Sequence, residues 1–261
     1  MPPADGAPSI LVLGGPTENT RIVTNWLSSH FGDVSLLIEQ PTPRRKFLAN
    51  RVKRYGLLTT AGQVLYAALV APLLKRSSRA RVREILELHG LDVSPPGVPT
   101  FHVPSVNSKA AREVIARLAP DLVVVQGTRI VGKRTLDAIP VPVVNTHMGV
   151  TPLYRGVHGG YWALAEGRRD LAGTTIFLID RGIDTGAVLA QVMFSPGPRD
   201  SIVTYPYLHL ATALPVMTDT LPEVAAGRAQ AARNPLGLES KLRTHPTLWG
   251  YLYRWLVRGV R

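Results

Sequence analysis

"VVNTHMGVTPLYRGVHGGYWAL" (Val143–Leu164) decides how the rest of the chain is read. Its β-branched apolar start breaks off into polar residues, the pattern of a buried strand whose C-terminal end opens into a loop. In α/β proteins ligands bind at that end of the strands. Asn145 and His147 are two residues apart, so in extended backbone their side chains share one face. An amide and an imidazole in one crevice can stabilise a developing oxyanion and manage a proton.

Composition sets the outer bounds. The chain has 261 residues, 45% of them hydrophobic, enough for one large core or a core plus an appendage. Cysteine is absent, which excludes disulfides, iron–sulfur clusters, thiolate zinc sites and cysteine nucleophiles. No metal site is expected. The opening "MPPADGAPSILVLGG" lacks the basic and long apolar regions of a signal peptide. No run is read as approaching the ~18 apolar residues of a spanning helix, so the expectation is a soluble, cytoplasmic protein.

The formal net charge is +12, with basic residues crowded between Arg44 and Arg83 and in the tail "KLRTHPTLWGYLYRWLVRGVR". Such a balance favours anionic partners, although a solvated basic surface explains it equally well. "AGQVLYAALVAPLL", flanked by "RRKFLANRVKR" and "KRSSRAR", suits either core packing or an amphipathic segment on an anionic membrane or over the site.

Outward from the central stretch, "SILVLGG", "VSLLIEQ", "FHVPSV", "DLVVVQG" and "VPVVNTH" read as strands. Helix-like segments separate them, with Pro72 as a break or kink in a long basic insertion over residues 41–90. "GTTIFLID" and "AVLAQVMFS" flank "RGIDTG" as a hairpin. The expectation is a doubly wound, mostly parallel Rossmann-like α/β sheet with a late antiparallel hairpin. Residues 1–195 form its catalytic domain, and 196–261, rich in Pro, form a small helical C-terminal extension. Asp184, in the Gly-bracketed turn, adds a carboxylate to the amide and imidazole, although Asp alone is an ordinary turn former.

"NTHMGVTPLYRG" followed by "GTTIFLIDRGIDTGAVLAQ" resembles the signature of the folate-dependent formyltransferases, the family of the glycinamide ribonucleotide, methionyl-tRNA and sugar N-formyltransferases. The matching positions are Asn145, His147, Pro152, Gly156, Gly173, Thr174, Asp184, Gly186 and Gln191, and the likeness is strongest over Asp121–Gln191. It implies transfer of a formyl group from 10-formyltetrahydrofolate to a primary amine. Asn145, His147 and Asp184 would then be catalytic: Asn145 donates to the carbonyl oxygen, protonated His147 stabilises the charge there, and Asp184 orients His147 or relays a proton.

The same resemblance makes Arg129, Ile130 and Val131 folate contacts, with Ile179, Asp180, Gly182 and Ile183 as the opposite wall. Packing accounts for Ile130 and Val131 as well. Gly14, Gly15, Asn19 and Thr20, in the turn after the first strand, are acceptor candidates because such turns offer N–H groups to anions. Arg155 and His158 complete that set, Arg155 with a loop-bracing alternative and His158 with an ordinary core or surface role.

The acceptor expected is a small-molecule amine, foremost a nucleotide-linked amino sugar. Hydrolytic deformylation of the folate, transfer to methionyl-tRNA and a non-catalytic module keeping the fold stand as alternatives. Nucleic acid is not the expected partner. A peripheral contact with anionic membrane and a homodimer are further partners compatible with the sequence.

Overall fold

A computed structural model describes residues 7–261. The reading of the N-terminus as free of a leader falls partly on residues 1–6, outside the described residues. Nine strands form in chain order: β1 (Ile10–Gly14), β2 (Val34–Glu39), β3 (Thr100–Val103), β4 (Leu122–Gln126), β5 (Val143–His147), β6 (Arg155–Gly156), β7 (Gly173–Leu178), β8 (Val188–Met193) and β9 (Leu242–Arg243). The helices are α1 (Glu18–Phe31), α2 (Arg44–Tyr55), α3 (Leu57–Leu65), α4 (Ala71–Ser77), α5 (Arg79–Leu88), α6 (Lys109–Leu118), α7 (Lys133–Leu136), α8 (Gly159–Ala165), α9 (Tyr205–Ala225) and α10 (Leu248–Arg258).

Seven strands pair in the order β3-β2-β1-β4-β5-β7-β8, parallel from β3 to β5 and antiparallel at β7 and β8. The doubly wound sheet with its late antiparallel hairpin is therefore present. Strands β1 and β4 are buried along their whole length, as expected for parallel strands covered on both faces. One core face joins Ile22 and Leu27 of α1 to Leu214 and Met217 of α9, and the other joins Ala111 and Ile115 of α6 to Leu11 and Leu13 of β1. Strand order reverses between β1 and β4, which opens a crevice at their carboxyl ends.

Three expectations about the periphery change. The chain beyond residue 196 is helical, but α9 is a layer of the core rather than an appendage: the Thr146 hydroxyl on β5 lies 2.9 Å from the Met217 sulfur. Pro215 and Pro222 sit inside this helix, Pro215 on its exposed side. In the insertion the chain turns at Ser78, after α4, and not at Pro72. Residues Tyr66–Val70 form one π-helical turn just before Pro72, and that wider turn accommodates the missing N–H. The helical run Leu57–Ser77 is then 21 residues, long and apolar enough to cross a membrane by length and composition. That corrects the expectation that no run approaches spanning length.

Candidate active site

A cavity of about 580 Å³ opens at the carboxyl ends of β4 and β5. Asn145 and His147 reach it from one strand, as the two-residue period requires, while Thr146 bonds to α9 behind the sheet. Nε2 of His147 donates to the Tyr154 carbonyl at 2.8 Å. A carbonyl only accepts, so that nitrogen carries a proton. Nδ1 lies 3.6 Å from Asp184 Oδ2, and the same oxygen accepts the Gly156 N–H at 2.9 Å. A doubly protonated ring thus has an acceptor facing each nitrogen. The Asn145 amide makes no side-chain hydrogen bond among the described residues and is turned to the cavity.

Asp184 arrives by an indirect path. Strand β7 ends beside Val144, three residues before His147 and near the opposite end of β5, and the loop Ile179–Ala187 folds back to bring the carboxylate to His147. Asp184 holds a left-handed conformation, φ 51°. A non-glycine residue pays for such a conformation, and the surroundings hold it there. Asp180 shapes the turn by accepting from the Gly182 N–H at 2.9 Å and the Thr185 hydroxyl at 2.7 Å.

The other motif residues build the frame. The Thr174 hydroxyl hydrogen-bonds His209 Nδ1 at 2.6 Å, and the Gln191 amide donates to the Thr151 carbonyl at 2.7 Å, beside the neighbouring Thr175 hydroxyl that donates to the Gly149 carbonyl at 2.8 Å. A Cβ on Gly186 would sit 1.6 Å from the Leu178 carbonyl oxygen, so only glycine fits there.

Arg129, Ile130, Val131, Ile179, Asp180, Gly182 and Ile183 all line the cavity. Arg129 contributes backbone rather than charge: its guanidinium donates to Thr42 Oγ1 at 3.0 Å and to the carbonyls of Pro104 and Gln40. Its N–H donates to the buried Glu39 carboxylate at 2.6 Å, which also accepts from Val106 N–H at 3.1 Å. Glu39 fastens the cavity loop to β2, a role with no signal in the sequence beyond an acid at the end of an apolar strand.

The acceptor candidates divide. Asn19 and His158 line the cavity. Thr20 is buried, with its hydroxyl donating to the Gln126 carbonyl, and a Cβ on Gly14 would meet the Thr20 methyl at 2.2 Å. Gly15 and Thr20 instead border a separate cavity of about 390 Å³ against β2 and β3. Arg155 lies outside the main cavity and braces the Asp184 loop by donating to the Ile183 carbonyl at 3.1 Å.

The C-terminal chain supplies a wall the sequence did not suggest. Strand β9 pairs with β6, and Gly156 (φ 94°) permits it because a Cβ would lie 2.2 Å from the Arg243 carbonyl oxygen. Arg243, Thr244 and His245 then line the cavity together with Arg51 and Arg54 of α2, the Arg51 guanidinium lying 3.5 Å from the Thr244 hydroxyl. His245 and His158 share one hydrogen bond at 3.0 Å. Burial pushes His158 down to about 3, helped by the neighbouring His245 ring, and pushes His245 down to about 4, helped by Arg51. Both rings are neutral near pH 7.

Residues 75–206 match the model of the formyl transferase family, half of the chain, and the chain belongs to that family. It is 33% identical over 192 residues to a methionyl-tRNA formyltransferase of Corynebacterium glutamicum, covering 73% of this chain and 52% of that protein. The methionyl-tRNA formyltransferase of Desulfotalea psychrophila is 35% identical over 109 residues, 41% of this chain and 33% of its own. The chain thus spans a third to a half of the length of these curated relatives. Among solved structures, the N-formyltransferase of Helicobacter canadensis, in complex with folinic acid and dTDP-3-aminofucose, superposes with a TM-score of 0.52 at 15% identity, covering 89% of this chain and 70% of its own.

Proposed function

We propose that this chain transfers a formyl group from 10-formyltetrahydrofolate to the primary amine of a small molecule. The observation that carries the reading is the convergence of Asn145, His147 and Asp184 on one wall of a cavity of ligand size. The donor side would be the apolar slot between Gly127–Val131 and Ile179–Ile183. Gln126 Oε1, buried there without a partner, can accept a hydrogen bond from a ring N–H.

In the transfer, the amine attacks the formyl carbon and the Asn145 amide donates to the carbonyl oxygen as charge develops on it. The imidazolium of His147 adds its charge at that oxygen, with the Asp184 carboxylate fixing the ring and taking a proton released by the amine. The C–N bond to the folate then breaks and the folate nitrogen regains a proton. No acyl-enzyme is needed.

The acceptor side would be Asn19, Arg51, Arg54 and the Arg243–His245 segment, whose cations favour a phosphate-bearing amine such as a nucleotide-linked amino sugar. A second reading, transfer to an aminoacyl-tRNA, has the names of the curated relatives and the net charge of +12 in its favour. A folate-release assay with nucleotide-linked amino sugars, methionyl-tRNA and no acceptor separates these readings from deformylation by water. Folate release without acceptor at the full rate would convert the assignment to hydrolase.

A further inference from the structure

The insertion helix turns much of its aliphatic surface outward. Across Leu57–Ser77 the inward face is mixed: Thr60 is 4% exposed, Gln63 5% and Tyr66 7%, with Val70, Ala71 and Leu74 packed on the core and the Gln63 amide donating to the His245 carbonyl at 2.8 Å. The outward side chains are aliphatic: Leu57 is 74% exposed, Leu58 75% and Leu73 69%, with Leu69 between them. Beside it, α10 repeats the pattern, with Trp249, Tyr253, Trp255 and Leu256 outward and Tyr251 buried against Tyr66 at 5.0 Å between ring centroids. Two packed helices thus each turn large apolar side chains outward, more than a water-facing helix would carry.

The charge carried by these chain segments is of one sign. No acidic residue occurs between Pro41 and Arg83, or after Glu239. Along the chain Arg44, Arg45 and Lys46 precede the apolar run and Lys75, Arg76 and Arg79 close it, all exposed and none in an ion pair among the described residues. We propose that this face seats the protein on an anionic lipid surface. The helices would lie in the headgroup plane, leucines and tryptophans reaching toward the acyl chains and the cationic rim on lipid phosphates.

The run does not span. Its inward face is occupied by Thr244, His245 and Tyr251, so only one side is free for lipid. A second copy fits worse, because a two-fold contact through this patch sets identical basic rims against each other. RNA fits worse too, since leucines neither pair with phosphate nor stack on bases. Trp and Tyr on α10 match the residues that favour a membrane interface.

The test is flotation of the full chain with phosphatidylcholine vesicles, with and without phosphatidylglycerol. Binding is expected to the anionic vesicles, to weaken with added salt, and to fall by at least about tenfold in Leu69→Glu/Leu73→Glu. Tryptophan emission should shift to the blue on binding, and Trp249→Phe/Trp255→Phe should lose that shift. Leu57→Ser/Leu58→Ser is a milder pair for the case that the glutamates impair folding, which a melting curve reports. The absence of flotation, or flotation unchanged in both leucine variants, overturns the proposal. So does concentration-dependent dimerisation, or binding of an RNA, that those variants abolish without any vesicle binding.

Discussion

Asp184 is shared between His147 and Gly156: one carboxylate oxygen lies 3.6 Å from the imidazole Nδ1 and accepts the Gly156 N–H at 2.9 Å. Gly156 is also the residue through which the C-terminal chain joins the site. The carboxylate therefore fixes the ring and the loop in the same gesture, and its removal should be felt in both.

His147→Ala and Asp184→Asn are expected to lower kcat by about two orders of magnitude or more, the scale of a lost acid–base or oxyanion group. Donor binding, measured by quenching of protein fluorescence on addition of a folate, should persist. Near-normal turnover in His147→Ala would remove the catalytic assignment.

Arg54 lines the cavity and makes no ion pair or hydrogen bond among the described residues, lying 5.4 Å from the Tyr55 ring centroid. Arg54→Ala should raise KM for a phosphate-bearing acceptor by roughly tenfold, one charge-assisted hydrogen bond's worth, and Asn19→Ala by less. Gly15→Val is a different test, because its new side chain would press on the Gly127 carbonyl, 3.0 Å from the Cβ. Loss of donor affinity in Arg54→Ala would place the two substrates the other way round.

Three desolvated histidines, His209 in the core and His158 and His245 in the cavity wall, make stability depend on pH. His209 is pushed down to about 3, by burial first and then by His147 and His158, alongside His158 at about 3 and His245 at about 4. The unfolded chain takes up these protons near pH 6.5. Between roughly 6.5 and 4 it binds more protons than the fold, so stability should drop as pH falls through that window, by at most about 1.4 kcal/mol per pH unit for each ring. Urea unfolding at stepped pH measures it, and His245→Asn should flatten the slope. A stability independent of pH below neutrality would contradict the burial of these rings.

Leu214 on α9 is fully buried against the sheet. Leu214→Ala should cost about 2–5 kcal/mol, the range of a core leucine truncation, and unfold the chain in a single transition. A separate early transition for the C-terminal residues would restore the appendage that their sequence suggested.

That suggestion failed for a physical reason. Helix-like segments rich in proline read the same whether they dock on the sheet or stand apart, and nothing local reveals that a packed helix can carry Pro215 on its exposed side. Asn145 and His147 were legible because strand parity alone puts them on one face. Asp184 was legible as a turn residue, but not the fold-back that carries it to His147. Glu39, Arg243 and His245 were silent, since each acts through contacts more than sixty residues away in the chain. Within the turn after β1, Asn19 reaches the cavity while Gly14, Gly15 and Thr20 do not, a division hidden because a free helix N-terminus and a tightly packed one look alike in sequence.

The pairing of β6 with β9 ties two distant surfaces to one short segment. Thr244 and His245 form the cavity wall, and Leu248 already begins the helix that bears the outward tryptophans. Any load that repositions α10 is delivered to His245 within three residues. Thermodynamic reciprocity then applies: whatever factor an occupied outer face contributes to acceptor affinity, a bound acceptor must return to the affinity of that outer face.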